Sequence, residues 1–168
     1  MNTIEISAED VPLPAPEERI IAFVDAVLHH LNKTHHELSI LLCTDERIRE
    51  MNSSFRGKDE ATDVLSFSQD EDSQDEGSQH PTNDEVFSNE PIKQGATPQL
   101  LGDIVLALPY LRRQAEEYKV SFESELKRML VHGMLHLTGM HHDTPELHRA
   151  MLDRQEAILQ ELEQEYRF

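Results

Sequence analysis

Cysteine is almost absent from this 168-residue chain: Cys43 is the single one, and tryptophan does not occur. One cysteine excludes an intrachain disulfide framework and a zinc site closed by thiolates. Within the apolar run from Leu38 to Thr44, Cys43 is expected to be a small buried hydrophobe. No apolar run approaches the ~20 residues of a membrane span, and the N-terminus lacks the basic and apolar segments of a signal peptide. These absences predict a soluble cytoplasmic protein.

Basic residues are also scarce, with 15 lysines and arginines against 33 acidic residues and a net charge of −18. This balance argues against a general affinity for nucleic acid, which depends on basic groups that displace counterions from phosphates. The excess is uneven, because residues 69 to 90 contain eight acidic residues and no lysine or arginine. Residues 69 to 98 are poor in apolar side chains, and we expect a disordered acidic insertion there. Basic residues near Arg56 and Lys58 leave an RNA-facing patch possible in the rest of the chain.

The spacing of apolar residues predicts an α+β fold with a mixed sheet of about four strands and four to five helices. The predicted strands cover residues 3–8, 37–43, 63–68 and 100–108. The predicted helices cover residues 17–33, 45 to 52 or 53, 109–118, 121–139 and 145–165. At this length, the elements are expected to form a single domain.

Two histidines in the fourth predicted helix have the spacing of metal ligands. His132 and His136 are four residues apart, so they lie one above the other on the same helical face. Gly139 can adopt φ > 0 where the helix should end, which lets the chain bring back a third imidazole. His142 is the candidate third ligand and His141 its rival. Three imidazoles with one open position are typical of a catalytic zinc, so a metal site is predicted at the end of a central helix.

The run from His132 to His142 resembles the signature His-Gly-x-Leu-His-Leu-x-Gly-x-Asp-His of the YbeY family, except that His141 stands where the family has Asp. A second block, residues 51–67, and a third, Leu101-Gly102-Asp103-Ile104-Val105, follow the family order. The resemblance is weakest before residue 36, from 69 to 98 and after 145. It implies that residues 1–168 form one YbeY-like metal-hydrolase domain that carries the acidic insertion at about 69–98.

The resemblance implies a zinc-dependent, single-strand-specific endoribonuclease that acts in late 3′-end maturation of small-subunit rRNA and in ribosome quality control. One Zn²⁺ per chain would be held by His132, His136 and His142. The expected partners are rRNA and the small ribosomal subunit, with a basic ribosomal protein as a further candidate. Neither DNA nor a membrane is an expected partner.

Four more residues are candidates for the chemistry. Arg56 is predicted to lie in a loop, and its planar, permanently charged guanidinium suits the charge that develops on a cleaved phosphodiester. Asp103, Asp143 and His141 are candidates for orienting a ligand or accepting a proton. No glutamate follows the first histidine, where zincin proteases carry their general base; that position is Gly133.

Two other functions compete with the nuclease. A ribosome-assembly factor would use the same metal to stabilise its fold, with binding as its activity. A metallopeptidase would use the same zinc but would need a general base from elsewhere, because Gly133 has no side chain.

Overall fold

The computed structural model describes residues 1–68 and 97–168, and these build one four-stranded sheet with helices on both faces. The strands are β1 (Thr3–Ala8), β2 (His36–Cys43), β3 (Val64–Ser68) and β4 (Gln99–Ala107). Their order in the sheet is β1-β2-β4-β3. The pairs β1/β2 and β2/β4 are parallel, whereas β3 runs antiparallel to β4. The predicted mixed sheet is therefore confirmed.

In the described ranges, five helices accompany the sheet: α1 (Glu17–His30), α2 (Asp45–Arg56), α3 (Leu108–Tyr118), α4 (Phe122–Leu137) and α5 (Pro145–Leu162). Two of these helices begin at a capping side chain: the Thr44 hydroxyl accepts a hydrogen bond from the Arg47 amide, and the Ser121 hydroxyl accepts one from the Ser124 amide. Such caps satisfy backbone N–H groups that a helix leaves without partners. The predicted α+β class is confirmed.

The prediction that Arg56 lies in a loop was wrong. Helix α2 continues through Arg56 and ends at Gly57, whose φ of 69° is left-handed. Two amides then reach back to helix carbonyls, from Gly57 to Ser53 and from Lys58 to Asn52. This ending needs a residue that tolerates positive φ, so the glycine sets the helix end and fixes the position of Arg56.

Both faces of the sheet carry a hydrophobic core. On β4, Ile104 and Leu106 join the larger core beneath α1, α4 and α5, while Val105 and Ala107 join a smaller core with Ile48 of α2. Successive residues of a strand point to opposite faces, so the near-continuous apolar sequence of β4 fills both cores. Cys43 is fully buried in the smaller core, as predicted, and burial raises the pKa of its thiol to about 11.

Helix α4 packs directly against the sheet at Gly133. A Cβ built on this glycine would lie 3.1 Å from two side-chain carbons of Ile104 on β4. The position next to His132 is thus packed against the core, which explains why no carboxylate stands there. The close approach also brings the histidine end of α4 beside the edge formed by β3.

The expected acidic insertion at 69–98 falls almost entirely on residues 69–96, which lie outside the described residues. Among the helices of the described part, none combines the length and apolar character that a membrane span requires.

Candidate active site

The side chains of His132 and His136 converge near the C-terminal end of α4. Their Nε2 atoms are 3.1 Å apart, and their rings are centred 4.7 Å apart at an interplanar angle of 75°. Two nitrogen ligands of a tetrahedral zinc, each at about 2.0–2.1 Å, would stand roughly 3.4 Å apart. The pair predicted from the four-residue spacing is therefore brought together in a geometry that suits one ion.

Burial holds this pair neutral. Desolvation lowers the pKa of His132, and it lowers the pKa of His136 to about 4, with the neighbouring imidazoles adding to the effect. A neutral imidazole carries a lone pair on one ring nitrogen, and metal binding requires that lone pair. The donor set is thus ready for a metal at neutral pH without the release of protons from imidazolium groups.

His142 lies beside the pair on the exposed segment that follows α4. Its ring centre is 4.9 Å from that of His136 and 6.4 Å from that of His132. Gly139 has a φ of 97°, so the predicted reversal of the chain does occur here. Among the described residues, no three His, Cys, Asp or Glu side chains already form a complete ligand set. A third donor from His142 therefore requires its exposed side chain to turn toward the pair.

These imidazoles open into a cleft of about 970 Å³. Arg56 lines the same cleft and is close enough for its charge to lower the pKa of His136 further. The guanidinium donates a 2.8 Å hydrogen bond from Nη2 to the Ser66 carbonyl and lies 5.6 Å from the ring centre of Phe67. Helix α2 and strand β3 thus fix the arginine at the edge of the histidine cleft.

The three residues predicted to orient a ligand or to accept a proton lie in two different cavities. His141 and Asp143 line the histidine cleft. Asp103 instead lines a second cavity of about 740 Å³, with Ile4 and Phe67 among its neighbours. Its strand neighbour Ile104 faces α4, so Asp103 points to the opposite face of the sheet. Asp103 does not face the imidazoles, and desolvation raises its pKa where it lies.

Two polar residues of the site were missed from the sequence. Asp63, the residue directly before β3, lines the cleft, and its charge raises the pKa of His132 against the effect of burial. Gln155 of α5 contacts His132 directly through a 2.9 Å hydrogen bond to Nδ1. The sequence does contain an indication of Gln155, because this polar residue interrupts the apolar stripe of Met151, Ile158 and Leu159.

We expect the metal-free protein to lose stability as the pH falls from about 6.5 toward 4. The folded-state pKa of His136, about 4, lies below its ordinary value of 6.5. The unfolded chain therefore binds more protons in this window, and acid favours unfolding. Discounted for the partial exposure of the ring, the loss is on the order of 1–2 kcal/mol. Urea unfolding at a series of pH values, with zinc removed by a chelator, measures it.

The His136→Ala variant is the reference for this experiment. Carboxylates also contribute to acid unfolding in both proteins. The difference between their pH dependences of the free energy of unfolding is therefore the contribution of the His136 imidazole. Equal pH slopes in wild type and variant would contradict the assigned shift of the His136 pKa.

The mixed sheet, the converging imidazoles and the arginine at the cleft edge define an α+β enzyme with a histidine-centred site. The family model described as "Endoribonuclease YbeY" matches residues 3–163. A relative named Endoribonuclease YbeY from Brevibacillus brevis is 36% identical over 163 residues, covering 96% of this chain and 98% of that one. Another of that name, from Halalkalibacterium halodurans, is 41% identical over 124 residues, covering 74% and 70%.

The chain belongs to the YbeY family. The solution structure of TM1509 from Thermotoga maritima shares the fold, with a TM-score of 0.53, 22% identity and coverage of 97% of this chain and 93% of that one. The family membership expected from the histidine motif is confirmed.

Proposed function

We propose that this chain is a zinc-dependent, single-strand-specific endoribonuclease that acts in the maturation of the 3′ end of small-subunit rRNA and in ribosome quality control. Membership of a family described as endoribonucleases supports the hydrolysis of RNA. The observation that carries the proposal is the 3.1 Å approach of the two Nε2 atoms of His132 and His136 in the cleft that Arg56 lines. The proposal treats residues 1–168 as one domain with an acidic insertion at 69–98, working in the cytoplasm.

The metal in this proposal is one Zn²⁺ held by His132, His136 and His142. Imidazole nitrogens suit zinc, and desolvation keeps the first two rings neutral, so the donors fit the ion. When bound, Zn²⁺ supplies Lewis acidity, which polarises a phosphoryl oxygen and makes water a better nucleophile at neutral pH. The protein would orient the imidazole nitrogens and leave one coordination position open to substrate from the cleft.

Arg56 binds the scissile phosphate in this scheme. Its guanidinium has five N–H donors, and the bond to the Ser66 carbonyl uses one of them and fixes the plane of the group. The remaining donors can contact two phosphate oxygens at once. A preorganised cation beside the reacting group stabilises the negative charge that develops there, and it needs no reorganisation during the reaction.

A proton acceptor must come from outside the His-Gly-x-x-His run, because Gly133 packs against Ile104. Asp63 lines the cleft, but its oxygens already accept from Thr62, the Val64 amide and Gln114. Asp143 is exposed at the cleft and therefore suits the transfer of a proton to solvent better. The same absence of a carboxylate beside the pair weakens the metallopeptidase alternative.

Three cationic side chains line the histidine cleft in spite of the acidic composition of the chain. They are Lys33, Arg56 and Lys58, and the carboxylates Glu60, Asp63 and Asp143 line the same cleft. Eight further acidic residues lie in the sequence between residues 69 and 90. Cationic groups along a cleft bind a phosphate backbone by releasing counterions. The acidic segment suits a basic ribosomal protein as a partner.

Cleavage of a structured rRNA fragment that contains the small-subunit 3′ end tests the proposal. Zinc-quantified wild type should cut internally in single-stranded segments, lose the activity on chelation and regain it with zinc. Arg56→Glu should bind zinc normally and cut at least ~100-fold more slowly, since it reverses a charge that faces the transition state. Arg49→Glu makes the same change on α2 outside the cleft and should cut like wild type.

Protein that holds one zinc but cuts nothing, even with ribosomes, would be an assembly factor, and released peptides would indicate a peptidase.

Zinc binding by two single variants should show which of His141 and His142 is the third ligand. We expect His142→Ala to lose stoichiometric zinc, because its ring is the one centred 4.9 Å from that of His136. His141→Ala should retain one zinc per chain. Metal analysis after gel filtration measures both, and the opposite pattern would assign the third ligand to His141.

A further inference from the structure

Gln155 is a buried amide in an apolar environment. Only 2% of its surface is exposed, and it belongs to the face of α5 that buries Met151, Ile158 and Leu159. A buried amide without hydrogen-bond partners would cost a few kcal/mol. The partners of Gln155 therefore indicate why a polar side chain occupies this position.

The two ends of the amide face different groups. Oε1 lies 2.9 Å from Nδ1 of His132, and Nε2 lies 3.4 Å from a carboxylate oxygen of Glu156. Glu156 also accepts a 2.9 Å hydrogen bond from Nε of Arg128, and this bond holds the pKa of the carboxyl below its usual range. An ionised carboxylate only accepts hydrogen bonds, so the amide nitrogen must face Glu156 and the amide oxygen must face His132.

This orientation determines the proton on His132. Because the amide oxygen is an acceptor, Nδ1 of His132 must be the donor and must carry the ring proton. In a neutral imidazole the other nitrogen then has the lone pair. That nitrogen is Nε2, the atom that faces His136 across 3.1 Å.

A network of polar side chains holds the amide in place. Arg128 of α4 reaches Glu125 at 3.4 Å, and Glu125 accepts a 2.8 Å hydrogen bond from Gln114 of α3. Gln114 in turn lies 3.3 Å from Asp63, which lines the histidine cleft. The network thus links three helices to the residue that precedes β3. The Gln155 amide, whose oxygen contacts His132, cannot rotate without breaking its hydrogen bond to this network.

We infer that Gln155 is a positioning residue, which fixes His132 in the tautomer with the proton on Nδ1 and turns the Nε2 lone pair toward the cleft. Metal-bound histidines often use a carboxylate for this task. An amide sets the tautomer and the ring orientation without adding a charge, which suits a site where burial already favours the neutral ring. The consequence for zinc rests on the proposed function, whereas the tautomer does not.

The test uses ¹⁵N-histidine NMR of the metal-free full-length chain, together with zinc affinity from competition with a chelator. Wild type should show His132 with its proton on Nδ1. Gln155→Leu, which removes the acceptor, should give a mixture of tautomers and bind zinc about 10- to 100-fold more weakly. Gln155→Glu keeps an acceptor oxygen and should keep the tautomer. Gln160→Leu makes the same change on the exposed side of α5 and should behave like wild type.

A proton on Nε2 of His132 in wild type would overturn the inference before any variant is made. So would an unchanged tautomer in a folded Gln155→Leu protein. These outcomes are distinct from failure of the proposed function: wild type that cuts no RNA would remove the nuclease but leave the tautomer result standing.

Discussion

Replacement of His136 by alanine is expected to abolish RNA cleavage, with a loss of about a thousand-fold or more. Groups that merely support a metal ligand typically account for 10- to 100-fold in affinity or activity, and a direct ligand contributes more. The variant removes one of the two nitrogens that converge at 3.1 Å, so zinc should also be lost from stoichiometric binding. Cleavage of the rRNA fragment and metal analysis of the same preparation measure the two effects together.

The fold should survive this substitution. Alanine is the most favourable residue in a helix, and the imidazole that it replaces is desolvated and largely uncharged. The metal-free variant should therefore unfold at a urea concentration equal to or above that of metal-free wild type. His29→Ala removes an imidazole from the exposed end of α1 and should retain zinc and activity. Full activity in a folded His136→Ala protein would contradict the assignment of the metal to this cleft.

Replacement of Gly102 by alanine is expected to be the most destabilising single-methyl change in the described part of the chain. Gly102 has a φ of 146°, and a Cβ built there would lie 2.2 Å from the Phe67 carbonyl oxygen and 2.9 Å from a methyl carbon of Leu137. The carbonyl belongs to the backbone of β3, which cannot move without breaking its pairing with β4. We expect a loss of about 3–5 kcal/mol, a large part of the stability of a typical domain.

Gly57→Ala is the matched control for this prediction. Gly57 also has positive φ, but a Cβ there would meet nothing within 4 Å. Its substitution should cost only the strain of a left-handed residue, about 1–2 kcal/mol. Urea unfolding of both variants measures the two losses of unfolding free energy. Equal losses would show that the contact with the Phe67 carbonyl does not determine the effect of a side chain at residue 102.

The helices and strands of this protein were largely predictable because their signals are local. All four strands lie within one residue of the predicted ends, since the alternation and runs of apolar residues define them. Thr44 and Ser121 begin their helices as the cap preferences indicate. Helix ends were less accurate: α2 continues to Arg56, three or four residues beyond its predicted end, and stops only at the left-handed Gly57.

The histidine pair was predictable for the same local reason, whereas its surroundings were not. Four residues along a helix place His132 and His136 on one face wherever that helix packs. Nothing local indicates that Asp103 points away from them, because that depends on which face of β4 the helix α4 covers. Nor could the neighbours of Gln155 be deduced, since α5 reaches His132 only through the packed core.

The sequence by itself determined the family, the class of fold, the order of elements and the pair of converging imidazoles. Each of these depends on residue spacing along one element or on a contiguous motif. The tertiary structure decided that Arg56 shares the cleft of the histidines, that Asp103 does not, and that an amide orients His132. These relations join residues from different helices and strands, and only the packing of α2, α4 and α5 around the sheet fixes their distances and directions.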